Sequence, residues 1–207
     1  HRHEQELMTK DATIREIHHR VKNNLQTVSA LLRLQSRRSS EEAVKVALAE
    51  AERRVQAIAT VHAALSQNVD ESVDFDEVAR TIVRMAGAIA STDHAVEVIT
   101  TGSFGTIQAD QAQALATVLN ELVANSVEHG LADRDGLIEV RAERLGSSMT
   151  VTVADNGVGF VPGTPMSGLG TQIVHQMVRG ELKGSIEWAP REGGGTLVTL
   201  HANLDPA

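Results

Sequence analysis

The segment NELVANSVEHG, residues 120–130, decides how the rest of this 207-residue chain is interpreted. Its apolar residues recur at helical spacing, and Glu121, Asn125 and His129 follow one another at intervals of four. On a helix these three side chains lie on one face. Such a polar face fits a solvated surface as well as a functional site, so the other segments of the chain must distinguish the two.

A second segment, VADNGVGF at 153–160, places a carboxylate at the end of a predicted apolar strand. This carboxylate is Asp155, and Gly157 and Gly159 come directly after it. Each glycine pattern is weak evidence by itself, because glycines usually mark only turns.

Two further glycine segments follow. SGLG at 167–170 contains Gly168 and Gly170 and opens a predicted helix, and GGGT at 193–196 leads through Thr196 into the last strand. Glycines before a helix let backbone N–H groups approach a phosphate, aided by the helix N-terminus. The four segments in this order form a much more specific pattern than any one of them.

The residues around these segments predict an α/β sandwich over 71–207. Helical patterns cover 75–90, 108–130 and 169–179, and strand patterns cover 95–102, 137–145, 149–156, 185–190 and 195–204. The strands at 137–145 and 149–156 alternate apolar and polar residues and are predicted to form a hairpin.

The first third, residues 1–70, predicts two long helices. The apolar positions of the second helix alternate steps of four and three, as in a coiled coil or bundle: Val44, Leu48, Ala51, Val55, Ile58, His62 and Leu65. RRSS at 37–40 supplies a turn, with Ser40 as the expected N-cap. An antiparallel hairpin with such narrow apolar stripes has a poor core alone, so we expect two copies to form a four-helix bundle. The predicted fold class is therefore α+β.

Composition excludes some kinds of function. The net charge of -8 argues against a nucleic-acid partner, and the lack of cysteine excludes disulfides and thiolate metal sites and fits a reducing compartment. No apolar run approaches the roughly 20 residues of a membrane span, and no signal peptide is evident. The charged start, HRHEQELM, suggests a fragment of a longer protein.

The helical segment EIHHRVKNNLQ, residues 16–26, contains two adjacent histidines. With 100° per residue, His19 projects roughly 155° from the centre of the apolar face, whereas His18 lies only about 55° from it. We therefore expect His19 on the accessible outer face. His18 should be partly buried, with a packing or hydrogen-bonding role.

These motifs resemble those of a known family. NELVANS, DNGVGF, SGLG and GGGT are similar to the four nucleotide-binding motifs of the GHKL ATPases, which include histidine kinases, gyrase, Hsp90 and MutL. EIHHRVKNNLQ followed by LLRLQSRR resembles the phosphoacceptor region of HisKA_2 and HWE-like histidine kinases. The resemblance covers nearly the whole chain. It implies a dimerisation and phosphotransfer hairpin at 1–70 and an ATP-binding domain of the Bergerat type at 71–207.

The resemblance also implies roles for the polar residues. Asn125 is similar to the asparagine that ligates Mg²⁺, a hard cation that prefers oxygen ligands. Asp155 is similar to the carboxylate that accepts a hydrogen bond from the adenine amino group of ATP. Glu121 occupies the position of a catalytic acid or base, although it could instead only order water. His129 would lie near phosphate or ribose, or would have a structural role at the helix edge.

For the glycines, the resemblance implies contact with the nucleotide. Gly157 and Gly159 would let the chain pass close under the base. Gly168 and Gly170 would end the lid and present the helix that faces the phosphates, and Thr196 is a further expected nucleotide-binding residue.

The resemblance identifies His19 as the phosphoacceptor, because it directly precedes Arg-Val-Lys-Asn. Many histidine kinases have an acid after this histidine, but here Arg20 follows. The base would then be Glu121 or Glu16. The segment 160–167, FVPGTPMS, is short and implies a simple mobile flap over ATP.

The function implied is that of a cytoplasmic sensor histidine kinase core. It would phosphorylate its own histidine from ATP with Mg²⁺ and pass the phosphoryl group to an aspartate of a response regulator. A sensor domain is expected upstream. The alternatives are a GHKL-type ATPase or serine kinase, as in anti-sigma factors, and a non-catalytic nucleotide-dependent dimer.

Overall fold

A computed structural model describes residues 1–68, 70–90, 94–132, 134–162 and 168–206. Two long helices, α1 (Arg2–Arg38) and α2 (Glu42–Leu65), form the predicted hairpin. They run antiparallel, because Arg33 near the turn bonds Glu52, whereas His18 further from it contacts His62.

The turn between these helices differs from the prediction in one detail. Ser40 is not the N-cap of α2, because Glu41 keeps an extended backbone and occupies that position. Ser39 supports the turn instead, since its hydroxyl accepts a hydrogen bond from the Glu41 N–H at 3.2 Å.

The remaining elements are a mixture of helices and strands. They are β1 (Ser72–Asp74), α3 (Phe75–Ala90), β2 (Val96–Gly102), β3 (Thr106–Gln108), α4 (Ala109–Asn125), a π-helical turn (Ser126–Gly130), β4 (Gly136–Leu145), β5 (Ser148–Asp155), α5 (Leu169–Arg179), β6 (Ser185–Pro190) and β7 (Thr196–Asn203). The predicted strands and the helices at 75–90 and 169–179 are confirmed, with ends shifted by a residue or two. The short strands β1 and β3 were not predicted.

Five strands form one sheet in the order β2-β4-β5-β7-β6. β2 is parallel to β4, and the other neighbours are antiparallel. Side chains alternate across a strand, so Val151 and Val153 of β5 and Val198 and Leu200 of β7 point into the core. The opposite face of these strands is more exposed.

Helices α3, α4 and α5 pack on the inner face of this sheet and share one apolar core with it. Val61 and Leu65 of α2 belong to the same core. The hairpin is therefore anchored to the sandwich through α2, which covers part of α4. This arrangement confirms the predicted fold class, a helical hairpin followed by an α/β sandwich.

The helix predicted for 108–130 is not α-helical throughout. After Asn125 it continues as the π-helical turn, in which the Leu131 N–H donates to the Ser126 carbonyl at 2.7 Å. Single π-helical turns are frequent at functional sites. Within the described part of the chain, no helix is both long and apolar enough to cross a membrane.

Candidate functional site

A cavity of about 520 Å³ collects most of the residues that the sequence singled out. It lies among α2, α4, the π-helical turn, the ends of β5 and β7 and the start of α5. The predicted site residues in its lining are Glu121, Asn125, His129, Asp155, Gly159, Gly168, Gly170 and Thr196. Gly157 and His19 do not line it. The four motifs are thus far apart in sequence but meet at one site.

Asp155 presents one free carboxylate oxygen to this cavity. It continues the inward-facing alternation of β5 and is 2% exposed. The backbone N–H groups of Gly157 and Thr196 donate to its Oδ1 at 3.0 and 3.3 Å. Its Oδ2 accepts no hydrogen bond from the described residues, so a ligand amino group can use that oxygen. Burial raises the pKa of the Asp155 carboxyl, and the two N–H groups and the charge of Arg191 oppose the rise.

Glu121 is a buried carboxylate with a strong partner from the hairpin. It is 1% exposed because α2 covers this part of α4. Arg54 of α2 donates from Nε to its Oε1 at 2.5 Å and from Nη2 to its Oε2 at 3.3 Å. Glu121 is therefore fixed beside the cavity as half of an ion pair.

Asn125 lies one turn beyond Glu121 and also faces the cavity. Its side chain is partly exposed, and its amide makes no hydrogen bond with another described residue. His129 is carried by the π-helical turn, is exposed, and reaches the same cavity. Asn125 is thus an oxygen donor available to a ligand or a cation.

Gly157 has a place in the framework of the site. A Cβ there would collide with the Gly130 carbonyl, and the next residue, Val158, donates its N–H to that carbonyl at 2.8 Å. The glycine therefore allows the loop after β5 to pack against the π-helical turn. The expected approach of Gly157 to the base stays a prediction.

The segment expected to form the lid is only partly described. Gly168 has a φ of 117°, which a residue with a side chain rarely adopts, and it precedes α5 directly. Residues 163–167 of the short segment FVPGTPMS lie outside the described residues.

Acidic groups outnumber basic ones in the cavity lining. The charged lining residues are Glu50, Arg53, Arg54, Glu121, Glu128 and Asp155. Burial raises the pKa of the Glu128 carboxyl, and the charges of Glu50 and Glu121 add to the rise, whereas Arg53 and His129 oppose it. An anionic ligand here needs either the two arginines or a bound cation.

The two adjacent histidines of α1, His18 and His19, have the environments that the helical phase predicted. His19 is exposed, and its Nδ1 lies 3.0 Å from Nδ2 of Asn23. His18 is 12% exposed, with Nδ1 3.0 Å from Nδ1 of His62 and Nε2 3.4 Å from a Glu71 oxygen. Burial lowers the pKa of His62, and the proximity of His18 lowers it further. His18 thus packs between hairpin and sandwich, whereas His19 lies on the exposed face of α1.

Sequence reasoning missed twelve lining residues, six of them inside the four motif segments and six outside. They are Glu50, Arg53, Arg54, Leu122, Ser126, Glu128, Gly130, Phe160, Leu169, Thr171, Trp188 and Val198. The arginines stand at polar positions of a bundle helix, where a solvated role is the usual expectation. The sequence offers one indication of their role. The two arginines are adjacent in ERRVQ, so one of them must lie on the side of α2 that packs against the rest of the protein.

The cavity suits Mg²⁺ held jointly with phosphates. No group of three or more His, Cys, Asp or Glu side chains among the described residues could hold a metal alone. Mg²⁺ usually keeps several waters and takes one or two protein oxygens plus substrate phosphates. The amide oxygen of Asn125, which no described residue engages, is an oxygen of the type that Mg²⁺ accepts.

Two family models match the chain. One, described as histidine kinase of the HisKA_2 type, matches residues 16–89. The other, described as histidine kinase-, DNA gyrase B- and HSP90-like ATPase, matches residues 110–206. Together they span both the hairpin and the motifs around the cavity.

Similar proteins carry the same description. The sensor histidine kinase PdtaS of Mycolicibacterium smegmatis is 46% identical over 208 residues, which cover 98% of this chain and 42% of PdtaS. The blue-light-activated histidine kinase 2 of Erythrobacter litoralis is 28% identical, with 94% of this chain and 58% of that protein covered. The solved histidine kinase domain of an Erythrobacter litoralis blue-light activated kinase has a TM-score of 0.66 at 23% identity, with 97% of this chain and 94% of that chain covered. The solved domain supports the fold alone. This chain spans less than half the length of PdtaS.

Proposed function

The chain belongs to the histidine kinases of the HisKA_2 type, and we propose that it phosphorylates its own His19 from ATP and passes the phosphoryl group to a response-regulator aspartate. One observation carries the proposal. Glu121, Asn125, Asp155 and the glycine motifs line one cavity, in a chain that also bears an accessible histidine on its helical hairpin.

The residues of the cavity have different roles in phosphoryl transfer. Asp155 Oδ2 accepts a hydrogen bond from the adenine amino group and so selects adenine over guanine. Asn125 would hold Mg²⁺, which would offset the charge of the ATP phosphates. A neutral His19 nitrogen attacks the terminal phosphorus of ATP in line, and as the N–P bond forms, the bond from that phosphorus to the β–γ bridging oxygen breaks and ADP leaves. Glu121 orients or deprotonates the imidazole, or orders water beside it. Positioning and charge stabilisation supply most of the rate.

The experiment that tests this function is incubation with γ-labelled ATP and Mg²⁺. Acid-labile, alkali-stable label on the protein is expected, because phosphohistidine has those properties. Acid-stable label would indicate a serine or threonine kinase, as in the anti-sigma alternative. Absence of label would leave an ATPase or a non-catalytic nucleotide-dependent dimer, and release of labelled phosphate would distinguish these two.

Asp155→Asn should weaken ATP binding about ten- to a hundredfold, since an unmatched buried polar group costs roughly 1–3 kcal/mol. The amide keeps an oxygen for Gly157 and Thr196 but turns an N–H donor toward the adenine amino donor. Calorimetry measures the affinity. Asp205→Asn, which alters an exposed pair with Lys183, is the control and should bind ATP normally. Unchanged affinity in Asp155→Asn would remove this residue from the site.

We also propose that two copies of the chain associate through the hairpin into a four-helix bundle. Ile17, Val28 and Leu31 of α1 are 53%, 43% and 57% exposed in the single chain. They lie along one side of the helix, next to the face that packs on α2, where a second hairpin would cover them.

Leu31→Glu should weaken this dimer at least about a hundredfold, because association would bury an unpaired charge. The single chain should keep its fold, since this side chain is exposed there. Leu145→Glu makes the same change at a leucine that is 83% exposed at the end of β4, and it should leave the dimer intact. Sedimentation velocity at micromolar concentration measures both. A monomeric unmutated protein would refute the bundle.

The setting proposed for this activity is the cytoplasm, where ATP and response regulators meet. A sensor domain elsewhere in the full-length protein would control the hairpin. The greater length of the kinases that this chain resembles supports such a domain.

A further inference from the structure

The cavity draws its basic side chains from the hairpin. Arg53 and Arg54 belong to α2, whereas the described lining residues from 71–207 include no Lys or Arg. The sequence of the flap segment 160–167, FVPGTPMS, also contains neither. Among the described lining residues, the guanidinium groups that a polyphosphate could contact in this cavity therefore all come from α2.

Arg54 is held in a geometry that suits a carboxylate or a phosphate equally. It donates two hydrogen bonds to Glu121, and Glu50 Oε2 lies 3.9 Å from its Nη2. Burial alone would lower the pKa of Arg54, but the hydrogen bond and charge of Glu121 outweigh burial and raise it. Arg54 is thus always cationic, and a planar guanidinium binds carboxylates and phosphates in the same forked manner.

The ion pair lies beside the start of α5, the helix assigned to the phosphates. A Cβ at Gly170 would be 2.6 Å from Glu121 Oε2 and 3.7 Å from Arg54 Nη2. The N-terminus of this 11-residue helix favours phosphate. The Arg54 guanidinium and the helix N-terminus therefore border the same part of the cavity.

Arg53 supplies a second, independent observation. It is 4% exposed, it lines the cavity, and its Nε has no hydrogen-bond partner among the described residues. A buried donor without a partner is costly. A phosphate in the cavity is a partner of suitable charge for it.

We propose that Arg54 is a phosphate-binding residue that the hairpin contributes to the nucleotide site. Its guanidinium pairs with Glu121 in the structure. The terminal phosphate of ATP competes for the same guanidinium and releases the Glu121 carboxylate toward the reacting histidine. The inference rests on the proposed function for the identity of the ligand and for the role of Glu121. It adds that a full nucleotide site requires α2 to be packed against α4.

The test is a set of affinities measured by calorimetry on the whole chain. Arg54→Gln should weaken ATP binding about tenfold or more and leave adenosine binding unchanged, because adenosine has no phosphate. Arg54→Lys should recover part of the loss. Arg33→Gln is the matched control, since Arg33 forms a 2.7 Å pair with Glu52 in the same hairpin but outside the cavity. It should bind ATP normally.

Glu121→Gln separates phosphate binding from a purely structural role. If phosphate and Glu121 compete for Arg54, this variant should bind ATP more tightly than the unmutated chain. The gain should disappear when Arg54→Gln is also present, as a double-mutant cycle reports. If Arg54 only holds Glu121 in place, both single variants should change ATP affinity in the same direction or not at all, and the proposal is overturned.

Adenosine binding shows that each variant is folded. If Arg54→Gln fails to fold, the other two variants still test the proposal. Glu121→Gln must bind ATP more tightly than the unmutated chain, and Arg54→Lys must bind it more weakly. These affinities do not depend on phosphohistidine formation. If phosphohistidine forms but the variants do not show these ATP affinities, only this inference is overturned. If the variants show these affinities but no phosphohistidine forms, only the proposed function is overturned.

Discussion

Asn125→Ala should lower ATP-dependent labelling of the protein at least about a hundredfold, because charge stabilisation by a metal is worth several kcal/mol and each 1.36 kcal/mol is tenfold in rate. The side-chain oxygen lost is the one that we assign to Mg²⁺. It makes no hydrogen bond to another described residue, so its removal should not disturb the helix. Adenosine binding, which depends on Asp155, should stay measurable.

The matched control for this variant is Gln176→Ala, which removes an exposed amide from α5 outside the cavity. Labelling should be normal there. Asn125→Asp should also fail, because the added carboxylate brings another negative charge to an already acidic cavity. Normal autophosphorylation by Asn125→Ala would show that the Mg²⁺ assignment is wrong.

His19→Gln should eliminate all acid-labile label, whereas the adjacent change His18→Gln should retain a substantial part of it. The reason is the geometry of α1. His19 is exposed on the outer face, whereas His18 is 12% exposed and lies against His62 and Glu71. Glutamine cannot form the phosphoramidate, but it preserves the size and polarity of either position.

Both histidine variants should bind ATP with the affinity of the unmutated chain, because neither residue lines the cavity. Filter-bound label after acid and alkali treatment measures the outcome. Loss of label in His18→Gln with retention in His19→Gln would place the phosphoacceptor one residue away from the position proposed.

Most of the fold could be predicted because its elements have clear local patterns. The alternation in β5, with Met149, Val151, Val153 and Asp155 all inward, is visible in sequence and also explains why Asp155 faces the cavity. Strands β1 and β3 were missed because three residues are too few to show a period. The π-helical turn was missed because nothing in SVEHG separates an i+5 from an i+4 hydrogen bond.

Only the part of the candidate site that is formed by the sequence motifs could be predicted. Glycine spacing and the polar face of α4 predicted the part of the cavity lining that comes from α4, the end of β5 and the start of α5. The contribution of α2 depends on how the hairpin packs against the sandwich, and the residues that fix this packing, such as Val61 and Leu65, are ordinary apolar side chains in sequence. Arg54 therefore became visible as a site residue only when the tertiary contact with Glu121 was known.

The central claim, that His19 carries the phosphoryl group, is tested most directly by locating that group in the chain. After brief incubation with ATP and Mg²⁺, trypsin under alkaline conditions should release EIHHR, residues 16–20, because arginines precede and end it. Electron-transfer fragmentation then separates the two histidines. The expected result is a phosphoryl group on His19. A phosphoryl group on His18, or on a serine or threonine elsewhere, would contradict the claim.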